Sequence, residues 1–537
     1  MTLSVHYNAL RKKQRNIKFQ RKESFRVKEK IAKKLRQRKR KILNRLNKRS
    51  LPEHPGPMFN PGNIHYEMAN RSRGIAYGGM GAMQLLVKQL GLDETINRHL
   101  HLFKLHNPYF ESDHILNIAY NILCNGQCLE DIERLRNDDV YLDAVGADRI
   151  PDPTTAGDFC RRFSVEQIEL LQDIVNEVRL KVWTQQEPEF FDEAVIDADG
   201  TIAPTTGECK EGMDISYKGI WGYHPLLISL SNTGEPLYLS NRSGNSTSSK
   251  NAFHYLDKAA TLCRKAGFKK IRFRGDTDFS QTKYLDGWDE DGITFVFGIN
   301  AMPNLVNIAQ NLPKTAYTDL VRQPKYTVKT QTRRKPANIK EQIVKKRGYK
   351  NIRLQSEQTA EFEYKPTHCR KSYRLVVLKK NLSVERGEQV LFDDIRYFFY
   401  ITNDRNASRA AIVGDANNRC NQENLIEQLK NGVGAMTMPV DNLVSNWAYM
   451  VMASLAWSLK AWYALSLPTK GRWRKKHKSQ KQKVLRMEFK KFRNFFIMMP
   501  CQIVNAGRKL VYRLLGWNEY LDIFFRAVET FRGPLRC

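Results

Sequence analysis

Three carboxylates, spread over more than two hundred positions, are the residues of this chain whose types could do chemistry together. Asp199 ends the apolar run Ala194-Val195-Ile196-Asp197-Ala198-Asp199, and Asp276 ends Ile271-Arg272-Phe273-Arg274-Gly275-Asp276. Glu423 sits in a helical stretch between Arg419 and Lys430. Carboxylate oxygens suit a hard divalent cation such as magnesium, which keeps several waters and needs only one or two carboxylates. Two such ions about 4 Å apart can activate an attacking oxygen and stabilise a leaving one. Spacing alone leaves choices open. Asp197 and Asp199 share a strand face, Asp276 and Asp278 pose the same choice, and Glu427 lies one turn beyond Glu423. At about 100° per residue, Arg419 and Lys430 fall on the Glu423 face. They either meet incoming phosphates there or form a surface salt bridge with Glu423.

The rest of the chain is basic. Its 537 residues carry a formal net charge of +32, which points to a polyanion, because lysine and arginine release counterions from a phosphate backbone. Nine cysteines lack any C-x-x-C or paired histidines, so a zinc site is not expected and a reducing cytosol is. Cys124 and Cys128 read as small buried residues on one helix face. No apolar core segment follows the N-terminal charges, so no signal peptide is expected. The apolar stretch 442–465 imitates a membrane span, but Lys460, Asn446 and three serines interrupt it; a central helix buried on all sides is expected.

Elements must bring the three acids together. Residues 1–50 hold 20 Lys or Arg against two Glu, a DNA-gripping arm that should be largely disordered when free. The string Leu51-Pro52-Glu53-His54-Pro55-Gly56-Pro57 ends it as a linker. Residues 61–185 read as a helical domain. Ser112 is the expected cap of one helix, and Thr154 or Thr155 of another that carries Phe159, Arg161, Arg162 and Phe163. Plain packing is expected of that helix; the alternative is the second helix of a helix-turn-helix. From 186 the period changes to short strands near 193–199, 225–231 and 236–241. A helix at 249–266 capped by Ser248 or Ser249, a strand at 269–275, a short helix from Ser280 and a strand at 293–298 follow. Three strands before the first helix predict an antiparallel meander joined to parallel strands by helical crossovers, the mixed α/β sheet of a ribonuclease-H-like core. That core would occupy 186–312 and 401–465. Residues 313–400 form a β-rich insertion whose basic loop carries Arg333 and Arg334. Residues 466–537 form a basic helical region. Between Lys470 and Arg493 it holds 12 Lys or Arg, among them Lys475 and Lys476. Trp473, Phe489 and Phe492 interleave with these cations, either to stack on bases or to face the core.

Together these residues resemble the DDE transposases of bacterial insertion sequences, and most of all the insertion sequence 1380 family. The resemblance rests on Asp199-Gly200-Thr201, Gly275-Asp276-Thr277-Asp278-Phe279 and Arg419-x3-Glu423-x6-Lys430. Gly222-Tyr223-His224-Pro225-Leu226, Arg242-Ser243-Gly244-Asn245 and Leu129-Glu130-Asp131-Ile132-x-x-Leu135-Arg136 add to it. It spans about 70–465. Two positions depart from the family pattern. Ala416 stands where relatives carry the tyrosine of a Tyr-Arg-Glu-Lys signature, and Thr277-Asp278-Phe279 stands where many have Ser-Gly-Phe. The resemblance implies that Asp199, Asp276 and Glu423 hold two Mg2+ ions, with Mn2+ possible. It implies that Arg419 and Lys430 bind double-stranded DNA, and the basic stretches carrying Arg333, Arg334, Lys475 and Lys476 are expected to bind it as well. Transposon ends would be cut and their 3′ hydroxyls joined to target DNA, in some relatives through a hairpinned end and a flipped base. A homodimer on DNA, no membrane association and a cytoplasmic, nucleoid-associated bacterial location are implied as well. The alternatives are a ribonuclease-H-like nuclease without strand transfer, or an inactive nucleic-acid-binding relative.

Overall fold

A computed structural model of the chain describes residues 29–45, 64–66, 72–106, 108–322, 339–387, 389–506 and 509–535. The Leu51–Pro57 linker and the Arg333-Arg334 loop lie outside them. Of the arm, residues 29–45 form a helix, α1. Leu35 packs on the core, and Arg38 Nη1 donates to the Leu514 and Gly516 carbonyls at 3.0 and 2.9 Å. Tertiary contacts thus supply what a short charged helix lacks alone.

After strand β1 (Arg73–Ile75) come α2 (Met80–Leu90), α3 (Leu92–His99), α4 (Glu111–Leu123), α5 (Ile132–Arg136), α6 (Asp139–Val145), α7 (Pro153–Arg161) and α8 (Val165–Trp183). The expected caps are displaced. Helix α4 starts at Glu111, where the Asp113 carboxylate accepts from Phe110 N, while Ser112 is buried against Asn97. Helix α7 is capped by Asp152, with Pro153 in the first turn, so Thr155 is the donor rather than the cap. Asp152 wins because it accepts from both the Thr155 N–H and its hydroxyl. Arg161 pairs with Asp158 and Asp441, and Arg162 lies over Phe103. Cys124 is buried, but Cys128 is exposed, because α4 ends at Leu123 and the chain turns through Asn125 at positive φ.

The catalytic-type pattern builds a nine-stranded sheet. Five of its strands are β2 (Ala194–Gly200), β6 (Leu226–Leu230), β7 (Glu235–Ser240), β8 (Ile271–Gly275) and β9 (Ile293–Ile299). Strands β2, β6 and β7 form the expected antiparallel meander, and β8 and β9 run parallel to β2. Helix α9 (Ala252–Ala266) makes the first crossover, and α10 (Leu285–Glu290), preceded by two 3-10 turns, makes the second. Neither Ser248 nor Ser249 caps α9; Asn251, in the left-handed region, precedes it with no side-chain cap. A small second sheet, β3 (Ala203–Pro204), β4 (Asp214–Ile215) and β5 (Trp221–Tyr223), sits beside β2. Its strands are too short to show a period.

Helix α11 (Pro303–Asn311) leads to β10 (Thr318–Asp319), α12 (Ile339–Lys346) and three long strands. These are β11 (Lys350–Tyr364), β12 (Tyr373–Arg386) and β13 (Gln389–Thr402). The apolar runs at 373–378 and 397–401 occupy the inner ends of β12 and β13. The strands run on because backbone pairing does not require apolar side chains on an exposed ribbon. Strand β13 pairs antiparallel with β9, so the sheet is continuous: β10-β11-β12-β13-β9-β8-β2-β6-β7.

Helices α13 (Arg409–Asn418) and α14 (Cys420–Glu427) follow, then a π turn over Gln428–Gly432 and the long helix α15 (Leu443–Leu465). From Ser445 to Leu465 every residue of α15 is buried, as expected, and no described helix is long and apolar enough to cross a membrane. Its tryptophan N–H groups are satisfied inside the protein: Trp447 donates to the Leu239 carbonyl, Trp457 to the Gly234 carbonyl and Trp462 to the Glu235 carboxylate. The C-terminal region holds α16 (Arg474–Leu485), α17 (Phe489–Phe492) and α18 (Leu521–Phe531). It is not wholly helical. Strands β14 (Cys501–Ala506) and β15 (Lys509–Leu514) form a hairpin, and β14 pairs with β1 from the other end of the chain. Phe489 and Phe492 are fully buried, so of the two expected roles they take the core one, while Trp473 is exposed.

Candidate active site

Strands β2 and β8 run parallel, with Asp197 in register with Arg274. Two residues further along, Asp199 and Asp276 leave the C-terminal ends of these neighbouring strands. The two aspartates of β2 share a face and do different work. Asp197 lies deeper, fully buried, and accepts from Arg274 at 2.7 and 2.9 Å. Asp199 lies at the opening, and its Oδ2 accepts from Arg419 Nη1 at 3.1 Å. Of the second pair, Asp276 Oδ1 accepts from the Asp278 backbone N–H at 3.0 Å, while Asp278 itself is exposed.

Glycines open the floor of this site. A Cβ on Gly200 would come within 2.9 Å of His224 Nε2, and one on Gly275 within 2.6 Å of the Phe279 Cβ. The close approaches at Gly200, just after Asp199, and at Gly275, just before Asp276, are possible only because these positions lack a side chain.

The helix carrying Glu423 is anchored to the sheet by buried polar contacts. Asp415 on α13 accepts from Arg274 at 2.7 Å and from Arg272 at 3.2 Å. Gln422 on α14 is buried and donates to the Asp197 and Leu227 carbonyls at 3.0 and 3.1 Å. Glu423, the next residue, is exposed.

Electrostatics tie the cluster together. Burial pushes the Asp199 carboxyl up to about 6; Arg419 opposes the rise, and repulsion from Asp276 and Glu423 adds to it. Asp276 is also raised by burial, and Arg419 again opposes this. Two carboxylates and one guanidinium thus share a partly dry recess.

Arg419, Glu423 and Lys430 all act electrostatically on Asp199. Helix α14 ends at Glu427, and the π turn carries Lys430 round to donate to the Ile202 carbonyl at 2.6 Å. Arg419 bonds Asp199, so the salt-bridge alternative fails. Burial lowers the Lys430 ammonium. Lys475 and Lys476 are exposed on α16, a separate element, with Lys476 Nζ 6.0 Å from the Trp473 ring. Glu427 accepts from Asn431 at 2.6 Å.

Sequence reasoning missed three groups as parts of the site. His224 faces Gly200, with Nδ1 2.7 Å from the Ser246 carbonyl. Buried Arg242 holds the surrounding loop through the carbonyls of His224, Thr247, Ser248 and Lys250. Tyr400 of β13 packs in the same small cluster as Ala416, and Arg419 acts electrostatically on its hydroxyl. Motif matching could mark His224 and Arg242 but not assign them a place, and Tyr400 gave no signal.

An all-oxygen donor set suits magnesium or manganese, and Asp199 and Asp276 fit such an ion as a pair. Among the described residues, no group of three or more His, Cys, Asp and Glu is placed to hold a metal ion.

The family model for "Transposase DDE domain group 1" matches residues 75–532. The chain belongs to this transposase family. No curated protein sequence matches it. Among solved structures, the piggyBac transposase synaptic complex with hairpin DNA aligns at a TM-score of 0.37 and 10% identity. That alignment covers 78% of this chain and 79% of the other, a likeness too distant to transfer residue roles.

Proposed function

We propose that this transposase cuts the ends of a bacterial insertion sequence and joins the freed 3′ hydroxyls to target DNA, with Asp199, Asp276 and Glu423 as its catalytic acids. The observation that carries this reading is the pair of half-buried aspartates at the ends of adjacent parallel strands. The strand order β7-β6-β2-β8-β9, in which β6 alone runs against the other four, supports a ribonuclease-H-like core in two parts, 186–312 and 401–465. Residues 1–60, 61–185, 313–400 and 466–537 are the arm, the helical domain, the β-rich insertion and the basic C-terminal region of the same proposal.

Asp199 and Asp276, with Glu423 as the third donor, would hold two Mg2+ or Mn2+ ions. Bound there, the metals polarise phosphate oxygens and activate water. The chain's own residues do the rest. The recess excludes bulk water, which strengthens every charge interaction inside it. Arg419 neutralises Asp199 in the free protein and is placed to take a DNA phosphate when that partnership is relaxed. Lys430 adds positive charge at the rim. Strand transfer needs two ends held together, and a homodimer on double-stranded DNA meets that need.

The test is end cleavage and strand transfer by Asp199→Ala, Asp276→Ala and Glu423→Ala proteins, with Mn2+ binding measured on each. Loss of several kcal/mol of charge stabilisation should slow cleavage on the order of a thousandfold. Cleavage at the parental rate by any one of them removes that residue from the site. Failure of the parental protein to join pre-cut ends would leave a nuclease, and absence of metal-dependent cutting would leave a DNA-binding relative. The Arg419–Asp199 bond favours that last reading enough to keep it as a named outcome.

A further inference from the structure

Strands β11, β12 and β13 extend beyond the sheet as a three-stranded arm. Strand β13 touches β9 only through Phe399–Thr402. On that side residues 389–398 pair with no strand among the described residues. This free edge carries Phe392, Ile395 and Phe398 at 55%, 48% and 41% exposure. An exposed apolar edge is a template for another strand, and proteins usually blunt it with proline or isolated charge. Here the charges are of both signs: Asp393, Asp394 and Arg396 lie on the edge, the last two on either side of Ile395.

We infer that this edge pairs antiparallel with the same edge of a second copy, with Ile395 on the two-fold axis. A two-fold normal to the sheet places each residue opposite one of the same face, so the paired numbers must sum to an even value. Pairing about Ile395 sets Asp394 opposite Arg396 of the other copy and Phe392 opposite Phe398. A slip that centres the axis on Asp394 sets that acid against itself. One centred on Arg396 sets two arginines together. Directly opposed like charges destabilise a ladder, and opposed unlike charges and aromatics stabilise it. Of these registers only the one about Ile395 sets Arg396 against an acid, and it places Asp393 opposite Tyr397. Within a single chain Arg396 Nε reaches Asp394 at 2.8 Å, and the pairing exchanges this local bond for two across the axis. The surface stands apart from the acidic recess, so its failure would leave the catalytic reading untouched.

Charge exchange tests the pairing, with molar mass read by sedimentation equilibrium on the full chain. The parental protein should dimerise. Asp394→Arg and Arg396→Asp should each weaken the dimer by about tenfold or more, since each opposes like charges twice. The double variant Asp394→Arg/Arg396→Asp restores both cross-pairs and should dimerise as the parent does. An equimolar mixture of the two single variants should form a heterodimer, which shows that both are folded. A monomeric parent, a dimer indifferent to either single variant, or a mixture that stays monomeric overturns the inference. Altered DNA affinity with unchanged molar mass also overturns it and assigns the edge to nucleic acid.

Discussion

Arg274 is the residue on which the site's geometry turns. It binds Asp197 through two nitrogens, Ser231 through one of the same pair, and Asp415 through the third. It thus fixes β2, β8 and α13 relative to one another beneath the two exposed-end aspartates. Arg274→Met would leave Asp197 buried without its counter-charge. The expected loss is about 3–5 kcal/mol of stability, because an uncompensated buried charge costs far more than a well-formed pair returns. Urea unfolding of the variant reads this directly, and an unchanged midpoint would show that Ser231 and water suffice for Asp197. The same residue explains why sequence left Asp197 and Asp199 equivalent. Both lie on one face by strand period, and only the neighbour across β8 separates a paired structural acid from an available one.

At the scale of elements, the junction of α15 and α16 holds a titratable group away from water. Lys460 is buried on α15, and its Nζ donates to the Leu485 carbonyl at the end of α16 at 2.6 Å, over the Trp457 ring. Burial brings this ammonium down to about 7 from lysine's ordinary 10.5. Between those values the unfolded chain holds a proton that the folded chain does not. Folding stability should therefore rise as pH rises from about 7 toward 10.5, and fall again as pH is lowered. Lys460→Met should flatten that slope while keeping the volume of the side chain. Denaturant midpoints at several pH values measure it, and a slope equal to the parent's would show that Lys460 titrates normally. Sequence periodicity showed α15 as a buried helix despite Lys460. It could not show that the interruption is a cap for another helix, since Leu485 lies 25 residues away.

At the scale of the whole molecule, charge sets the behaviour toward DNA. With +32 formal charges, affinity should fall steeply with salt. Lys475 and Lys476 are exposed on α16, and a phosphate contact by each contributes about one to the slope of log affinity against log salt. Lys475→Ala/Lys476→Ala should reduce that slope by about two while leaving discrimination between DNA sequences unchanged. Binding isotherms over a salt series test this, and an unchanged slope would place the α16 face away from DNA. The chain ends also meet at this scale: β1 pairs with β14, and α1 is held to the β15 end by Arg38. No local pattern near Arg73 or Cys501 announces that partnership.

The sequence by itself determined the elements whose period and chemistry are local. These are the meander and its parallel continuation, the buried helix α15, the two strand-end aspartates and the basic balance. The outer halves of β11 and β13 escaped it because exposed strands need not alternate. The caps of α4, α7 and α9 escaped because several polar residues compete for each terminus, and neighbouring elements settle the contest. Tertiary structure alone decided that Asp197 is neutralised by Arg274, that Arg419 turns to Asp199 instead of Glu423, and that a π turn swings Lys430 to Ile202. The physical reason is the same in each case. A charged side chain chooses among partners by distance and burial, and both are properties of packed elements, not of spacing along the chain.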